Sequence, residues 1–133
     1  MQILYVDDHS SQRNIMKQML ELAGHEVSVA SSGEEGIQRT QEIHPDVIIM
    51  DLRMQGIGGI EATKAIKGDP ELTHIPVIIL SAWTSRHNRK RAIEAGATHF
   101  MTKPVQIKQF VEEINNLNPH KVEAKVSSSP QQR

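Results

Sequence analysis

Pro45-Asp46-Val47-Ile48-Ile49-Met50-Asp51-Leu52-Arg53-Met54 holds four consecutive apolar residues closed by a carboxylate. A short unbroken apolar run suits a strand covered on both faces, and such strands lie inside parallel sheets. Ile3-Leu4-Tyr5-Val6 upstream and Val77-Ile78-Ile79-Leu80 downstream repeat the pattern. Val27 and Val29 alternate with polar neighbours, which predicts a strand nearer a sheet edge or only partly covered, and Thr98-His99-Phe100-Met101 reads as a fifth.

Helix-like stretches separate these runs. Gln12 to Ala23 puts Ile15, Met16, Met19, Leu20, Leu22 and Ala23 on one side, with Ser10 or Ser11 as cap and Gly24 as the closing residue. Gly33 to Ile43 follows the cap candidate Ser32 and stops at His44-Pro45. A glycine-rich loop, Gln55-Gly56-Ile57-Gly58-Gly59, leads into a helix from Ile60 to Lys67 that ends at Gly68. Another spans Arg86 to Ala95 before Gly96, and Ile107, Phe110, Val111, Ile114 and Leu117 mark a last apolar face. Strands alternating with helices, joined by right-handed crossovers, predict an α/β fold. It is a flavodoxin-like, doubly wound, five-stranded parallel sheet with five helices. The expected boundaries are one domain over residues 1–117 and a disordered tail or truncated linker over 118–133, which ends in Ser127-Ser128-Ser129-Pro130.

The chain has 133 residues, enough for one core without staples, and no cysteine, so disulfides and thiolate metal sites are excluded. This suits a cytoplasmic location. Met1 to Val6 runs straight into Asp7, too short and too acidic for a secretory segment, and nothing approaches the roughly 20 apolar residues of a membrane span. A net charge of −1 offers no general attraction for nucleic acid or an anionic membrane.

In an open α/β sheet, sites form beyond the carboxyl ends of the strands. The residues there are Asp7-Asp8, Asp51, Ser81-Ala82 and Thr102-Lys103-Pro104. Three carboxylates meeting at one edge repel unless a cation sits among them, and a hard divalent ion such as Mg²⁺, with Mn²⁺ as a substitute, takes oxygen ligands. The histidines show no HExxH or comparable spacing, which argues against zinc. A carboxylate can attack phosphorus if the incoming charge is neutralised. The metal and Lys103 would supply positive charge, Ser81 a hydroxyl donor, and the backbone amide of Ala82 a further one. Each feature alone also has a plain reading. Asp7 and Asp8 suit the approach to a helix N-terminus, Ser81 a buried serine bonded to backbone, and Lys103-Pro104 a turn.

Ile3-Leu4-Tyr5-Val6-Asp7-Asp8, then the Pro45 to Met54 stretch, then Ile79-Leu80-Ser81-Ala82, then Gly96-Ala97 and Lys103-Pro104, resemble the response-regulator receiver family, in order and at its spacing. The resemblance implies that Asp51 is the phosphoryl acceptor and that Asp7 and Asp8 form the metal-binding pair, joined by Asp51 and the backbone carbonyl of Arg53. It further implies that Ser81 is the switch hydroxyl, Lys103 the phosphate-sensing lysine, and Phe100 the aromatic whose rotamer follows phosphorylation. A cis peptide between Lys103 and Pro104 is implied too. Gln55 and Gly58 depart from the family's usual proline and aspartate, and Arg53 and Trp83 stand where relatives tune water access and partner fit.

Arg86-His87-Asn88-Arg89-Lys90-Arg91 is the one strong charge run. Without a nucleic-acid-binding motif beside it, a protein-binding or solvated face is favoured over DNA or RNA. In the resembled family the fourth helix, fifth strand and fifth helix meet downstream partners. This assigns Trp83, Arg86, Arg89 and Phe100 to a partner face, although Phe100 also suits a core and Trp83 also suits packing on the next helix. The function expected is a signalling switch phosphorylated by a histidine kinase or phosphotransfer protein, with a dimer among the arrangements open to the phosphorylated form. It catalyses only its own phosphorylation and dephosphorylation. Two rivals stand beside it, a pseudo-receiver that binds partners without phosphate and an aspartyl phosphatase. The phosphatase would need an acid where Arg53 stands.

Overall fold

The computed structural model describes residues 1–82 and 86–117. The elements, in chain order, are β1 (Gln2–Val6), α1 (Ser10–Leu22), β2 (Glu26–Ala30), α2 (Gly33–Ile43), β3 (Val47–Asp51), α3 (Gly59–Lys67), β4 (Val77–Ser81), α4 (Arg86–Glu94), β5 (His99–Thr102) and α5 (Ile107–Asn116). The strands pair in the order β2-β1-β3-β4-β5, all parallel, so the predicted flavodoxin-like sheet is present. Trp83 and residues 118–133, with the tail expected there, lie outside the described residues.

Side chains alternate across a strand, so each apolar run divides between two cores. Leu4, Val6, Ile48, Met50, Val77 and Ile79 pack with Ile60, Ile66, Ala92 and Phe100 on one face. Ile3, Tyr5, Val47, Ile49, Ile78 and Leu80 pack with Met16, Leu20, Phe110 and Ile114 on the other. β3 and β4 are buried along their whole length, whereas β2 is an edge strand and is only partly covered, as its alternation predicts.

The helix ends follow local chemistry. Ser32 Oγ accepts from Glu35 N–H at 3.0 Å at the start of α2, and the chain leaves that helix through His44 in the left-handed region. Gly24 and Gly96, at φ 98° and 106°, turn the chain where a side chain would be strained. The start of α1 differs from expectation. His9 is the cap residue, no side chain caps the helix, and Ser10 and Ser11 lie inside its first turn. The apolar side assigned to α1 is also too wide. Met16 and Leu20 are buried, while Ile15 and Leu22 are 56% and 88% exposed and Ala23 faces solvent. Only one narrow stripe of the helix meets the sheet.

At the far edge from the site, buried His25 lies with Nε2 2.9 Å from Asn115 Oδ1 and Nδ1 3.2 Å from the Met1 ammonium. Burial, and secondarily that ammonium, hold its imidazole below the ordinary histidine value. As pH falls through the ordinary value, the unfolded chain takes up a proton that the folded chain refuses, so stability drops until the folded imidazole titrates as well. Urea midpoints at pH 7 and pH 5 should therefore fall further for the wild type than for His25→Gln.

Gly59 opens α3 directly against the end of β3. A Cβ there would collide with the backbone carbonyl of Asp51 and stand 3.2 Å from Leu52 Cα, atoms that no rotamer change can move. Gly59→Ala is expected to cost about 3 kcal/mol in urea unfolding and to displace the strand end that carries Asp51.

Candidate functional site

Parallel strands bring all their carboxyl ends to one rim, and residues far apart in sequence meet there. Asp51 ends β3, Ser81 ends β4, Asp7 and Asp8 follow β1, and Lys103 follows β5. A cleft of about 330 Å³ is lined by His9, Gln12, Asp51, Arg53, Ser81, Ala82 and Lys103. The Lys103–Pro104 peptide is cis, as the resemblance implied, and Lys103 N–H donates to the Ser81 carbonyl at 2.8 Å.

Lys103 is the electrostatic centre. Its Nζ lies 3.1 Å from Asp51 Oδ1, 3.7 Å from Asp7 Oδ2 and 3.2 Å from Gln12 Oε1. Burial pushes the Asp51 carboxyl above the usual carboxylate range, with Asp7 and Asp8 adding to the rise and Lys103 opposing it. Asp7 is fully buried and correspondingly well bonded. Tyr5 Oη donates to Oδ2 at 3.1 Å, His9 N–H donates to Oδ1 at 2.9 Å, and Arg13 Nη1 donates to the Asp7 carbonyl at 2.8 Å. Burial first, then the Asp7 charge, drive the Tyr5 phenol far above its ordinary value, so it remains a donor.

Asp8 is held differently. Its Oδ2 accepts from Gln55 N–H at 3.1 Å, whereas buried Oδ1 accepts no hydrogen bond. His9 Nδ1 lies 3.0 Å from that oxygen, outside hydrogen-bond geometry, and 3.1 Å from Asp7 Oδ1. The hydrogen bond to Asp7, followed by the charges of Asp8 and Asp7, holds the His9 imidazole above its ordinary value.

These residues fit a hard divalent ion. One ligand atom each from Asp7, Asp8, His9 and Asp51 lie within 4.8 Å of one another. Opposite ligands of an octahedral ion stand about 4.2 Å apart at metal–oxygen distances near 2.1 Å, so small side-chain movements close the set. The orphaned Asp8 oxygen and the excess of negative charge point the same way.

The structure brings Asp7, Asp8, Asp51, Ser81 and Lys103 together, with Arg53 and Ala82 on the same cleft wall. Phe100 stands elsewhere. It is buried in β5 with the Arg89 guanidinium 5.3 Å from its ring centre, and both line a groove with Thr102, Pro104 and Gln109. Arg86 is exposed at the start of α4. Sequence reasoning missed His9 and Gln12. A search for histidine pairs overlooks a single histidine beside two carboxylates, although the Asp7-Asp8-His9 run carried that signal.

A parallel sheet in this strand order, with acids, a hydroxyl and an ammonium at its carboxyl edge, defines a doubly wound domain with its site at the topological switch point. The family model of the response regulator receiver domain matches residues 3–115, and the chain belongs to that family. It is 32% identical over 114 residues to the polar-differentiation response regulator DivK of Brucella ovis, covering 86% of this chain and 93% of DivK. Among solved structures it is similar to the chemotaxis protein CheY4 of Vibrio cholerae, at TM-score 0.83 and 29% identity over 88% of this chain and 98% of that one. A receiver domain protein of Clostridium thermocellum matches at TM-score 0.83 and 33% identity over 92% and 98%. The chain is thus a receiver domain of two-component signalling. Among the described residues no helix is long and apolar enough to cross a membrane.

Proposed function

We propose that residues 1–117 form a cytoplasmic phosphorylation switch that takes a phosphoryl group onto Asp51 from a phosphohistidine of a histidine kinase or phosphotransfer protein. The observation that carries this is Lys103 Nζ standing 3.1 Å from Asp51 and 3.7 Å from Asp7 at a cleft that Ser81 also lines. Asp7, Asp8, Asp51 and the backbone carbonyl of Arg53 would hold Mg²⁺ or Mn²⁺, which when bound supplies positive charge against the phosphoryl oxygens.

Transfer balances simply. An Asp51 oxygen attacks phosphorus, the P–N bond breaks, and the donor imidazole leaves with the electron pair and takes up a proton. Lys103 offsets the charge arriving beside Asp51, the Ser81 hydroxyl donates to one phosphoryl oxygen, and the Ala82 amide donates to another. Hydrolysis reverses the state: water attacks phosphorus, inorganic phosphate leaves, and Asp51 is again a carboxylate. Drawing Ser81 to the phosphoryl group makes room for Phe100 to change rotamer. Because Arg89 lies over that ring, the change is felt on the α4-β5-α5 surface, where exposed Arg86 and Arg89 present the partner face and buried Phe100 acts from beneath it.

Acetyl phosphate with Mg²⁺ tests this reading. Intact mass should rise by one phosphoryl group, in a form that hydroxylamine removes, and beryllofluoride should perturb the spectra of β4 and β5. An unchanged mass together with unchanged spectra would dispose of the proposal.

A further inference from the structure

His9 has no place in the mechanism above, yet its ring nitrogen sits among the carboxylates. One atom, Nδ1, stands 3.1 Å from Asp7 Oδ1 and 3.0 Å from Asp8 Oδ1. Neighbouring ligands round an octahedral ion with bonds near 2.1 Å are about 3.0 Å apart, so these separations match the edge of such a polyhedron. The backbone strengthens the case. His9 is the extended residue before α1, at φ −95° and ψ 109°, and its N–H is bonded to the same Asp7 oxygen, which fixes where the side chain starts. Asp8 Oδ1, the oxygen nearest the ring, is the buried atom that no hydrogen bond satisfies.

We propose that His9 is a nitrogen ligand of the divalent site formed by Asp7, Asp8 and Asp51, giving this receiver a stronger preference for later first-row divalent ions over Mg²⁺ than its oxygen ligands alone would give. The inference rests on the reading of those aspartates as a metal site. Imidazole nitrogen binds Co²⁺ and Ni²⁺ far better than Mg²⁺, which retains oxygen and water ligands, so one added nitrogen shifts selectivity. The rival role for His9 is that of a counter-ion lying on the acidic pair, and it makes the opposite prediction. A counter-ion competes with every metal, so removing it would strengthen binding of all of them.

The test uses the whole chain, free of metal, as wild type, His9→Gln and Asp8→Asn. Calorimetric titration with CoCl₂ and MgCl₂, counting only Co²⁺ that Mg²⁺ displaces, removes the contribution of other histidines. The Co²⁺-to-Mg²⁺ affinity ratio should fall about tenfold in His9→Gln. Pulsed EPR of the Mn²⁺-loaded wild type should show imidazole nitrogen coupling that His9→Gln lacks. An unchanged ratio, or tighter binding of both ions by His9→Gln, overturns the ligand role while the aspartate site stands. Failure of the wild type to bind either ion, with Asp8→Asn indistinguishable from it, overturns the site itself and this inference with it.

Discussion

Asp51→Asn is expected to abolish phosphoryl acceptance, with incorporation from acetyl phosphate and Mg²⁺ falling at least about a hundredfold while the fold persists. The amide keeps the shape of the carboxyl group but has no nucleophilic anion. The same variant should be more stable than wild type at pH 7 in the absence of metal. Burial raises the Asp51 carboxyl despite the opposing Lys103, so its contribution to stability is complete only below the ordinary carboxylate value. That contribution is lost as pH rises through the raised folded value. At neutral pH the ionised group therefore carries a penalty that asparagine lacks. Thermal midpoints measured with a chelator present should favour Asp51→Asn at pH 7, by a margin that shrinks toward pH 4. Undiminished phosphorylation of the variant would move the acceptor elsewhere.

Lys103→Ala should have the second large effect, and it acts on two quantities that can be read separately. Nζ reaches both Asp51 and Asp7, whose side chains are 8% and 0% exposed. Its removal leaves buried carboxylates facing each other, a kind of loss that costs about 3–5 kcal/mol when one partner of a buried pair is deleted. Urea unfolding should show that deficit at neutral pH, and added Mg²⁺ should recover part of it by replacing the missing charge. The rate of phosphorylation should not recover. A lost donor to developing phosphoryl charge is worth about 10²–10³ in rate, and an ion held by the aspartates would restore charge without restoring the ammonium donor that stands 3.1 Å from Asp51. Lys103→Arg is not a neutral control, because a planar fork does not fit where a compact ammonium meets three oxygens. A rate equal to wild type in Lys103→Ala would remove the lysine from the mechanism.

The sheet was legible because its strands are nearly continuous apolar runs. Val47 to Met50 and Val77 to Leu80 have no polar side to turn toward water, so helices must cover both faces. The rim residues were legible for a related reason, since an aspartate or serine that closes such a run stands where the strand leaves the core. Helix α1 was harder. Its apolar positions wrap too far round the helix to name one face, and docking alone decided that Met16 and Leu20 go inside while Ile15 and Leu22 face water.

The chemical types gathered at the rim, three carboxylates, a hydroxyl and an ammonium, were determined by the order of residues along the chain, because parallel strands deliver their carboxyl ends to one edge whatever the details of packing. Which of these groups touch was decided only in three dimensions. Gln12 meets Lys103 across 91 positions and His25 meets Asn115 across 90. Contacts of this kind carry no local periodicity, and they exist because two helices and a sheet have settled at one particular spacing.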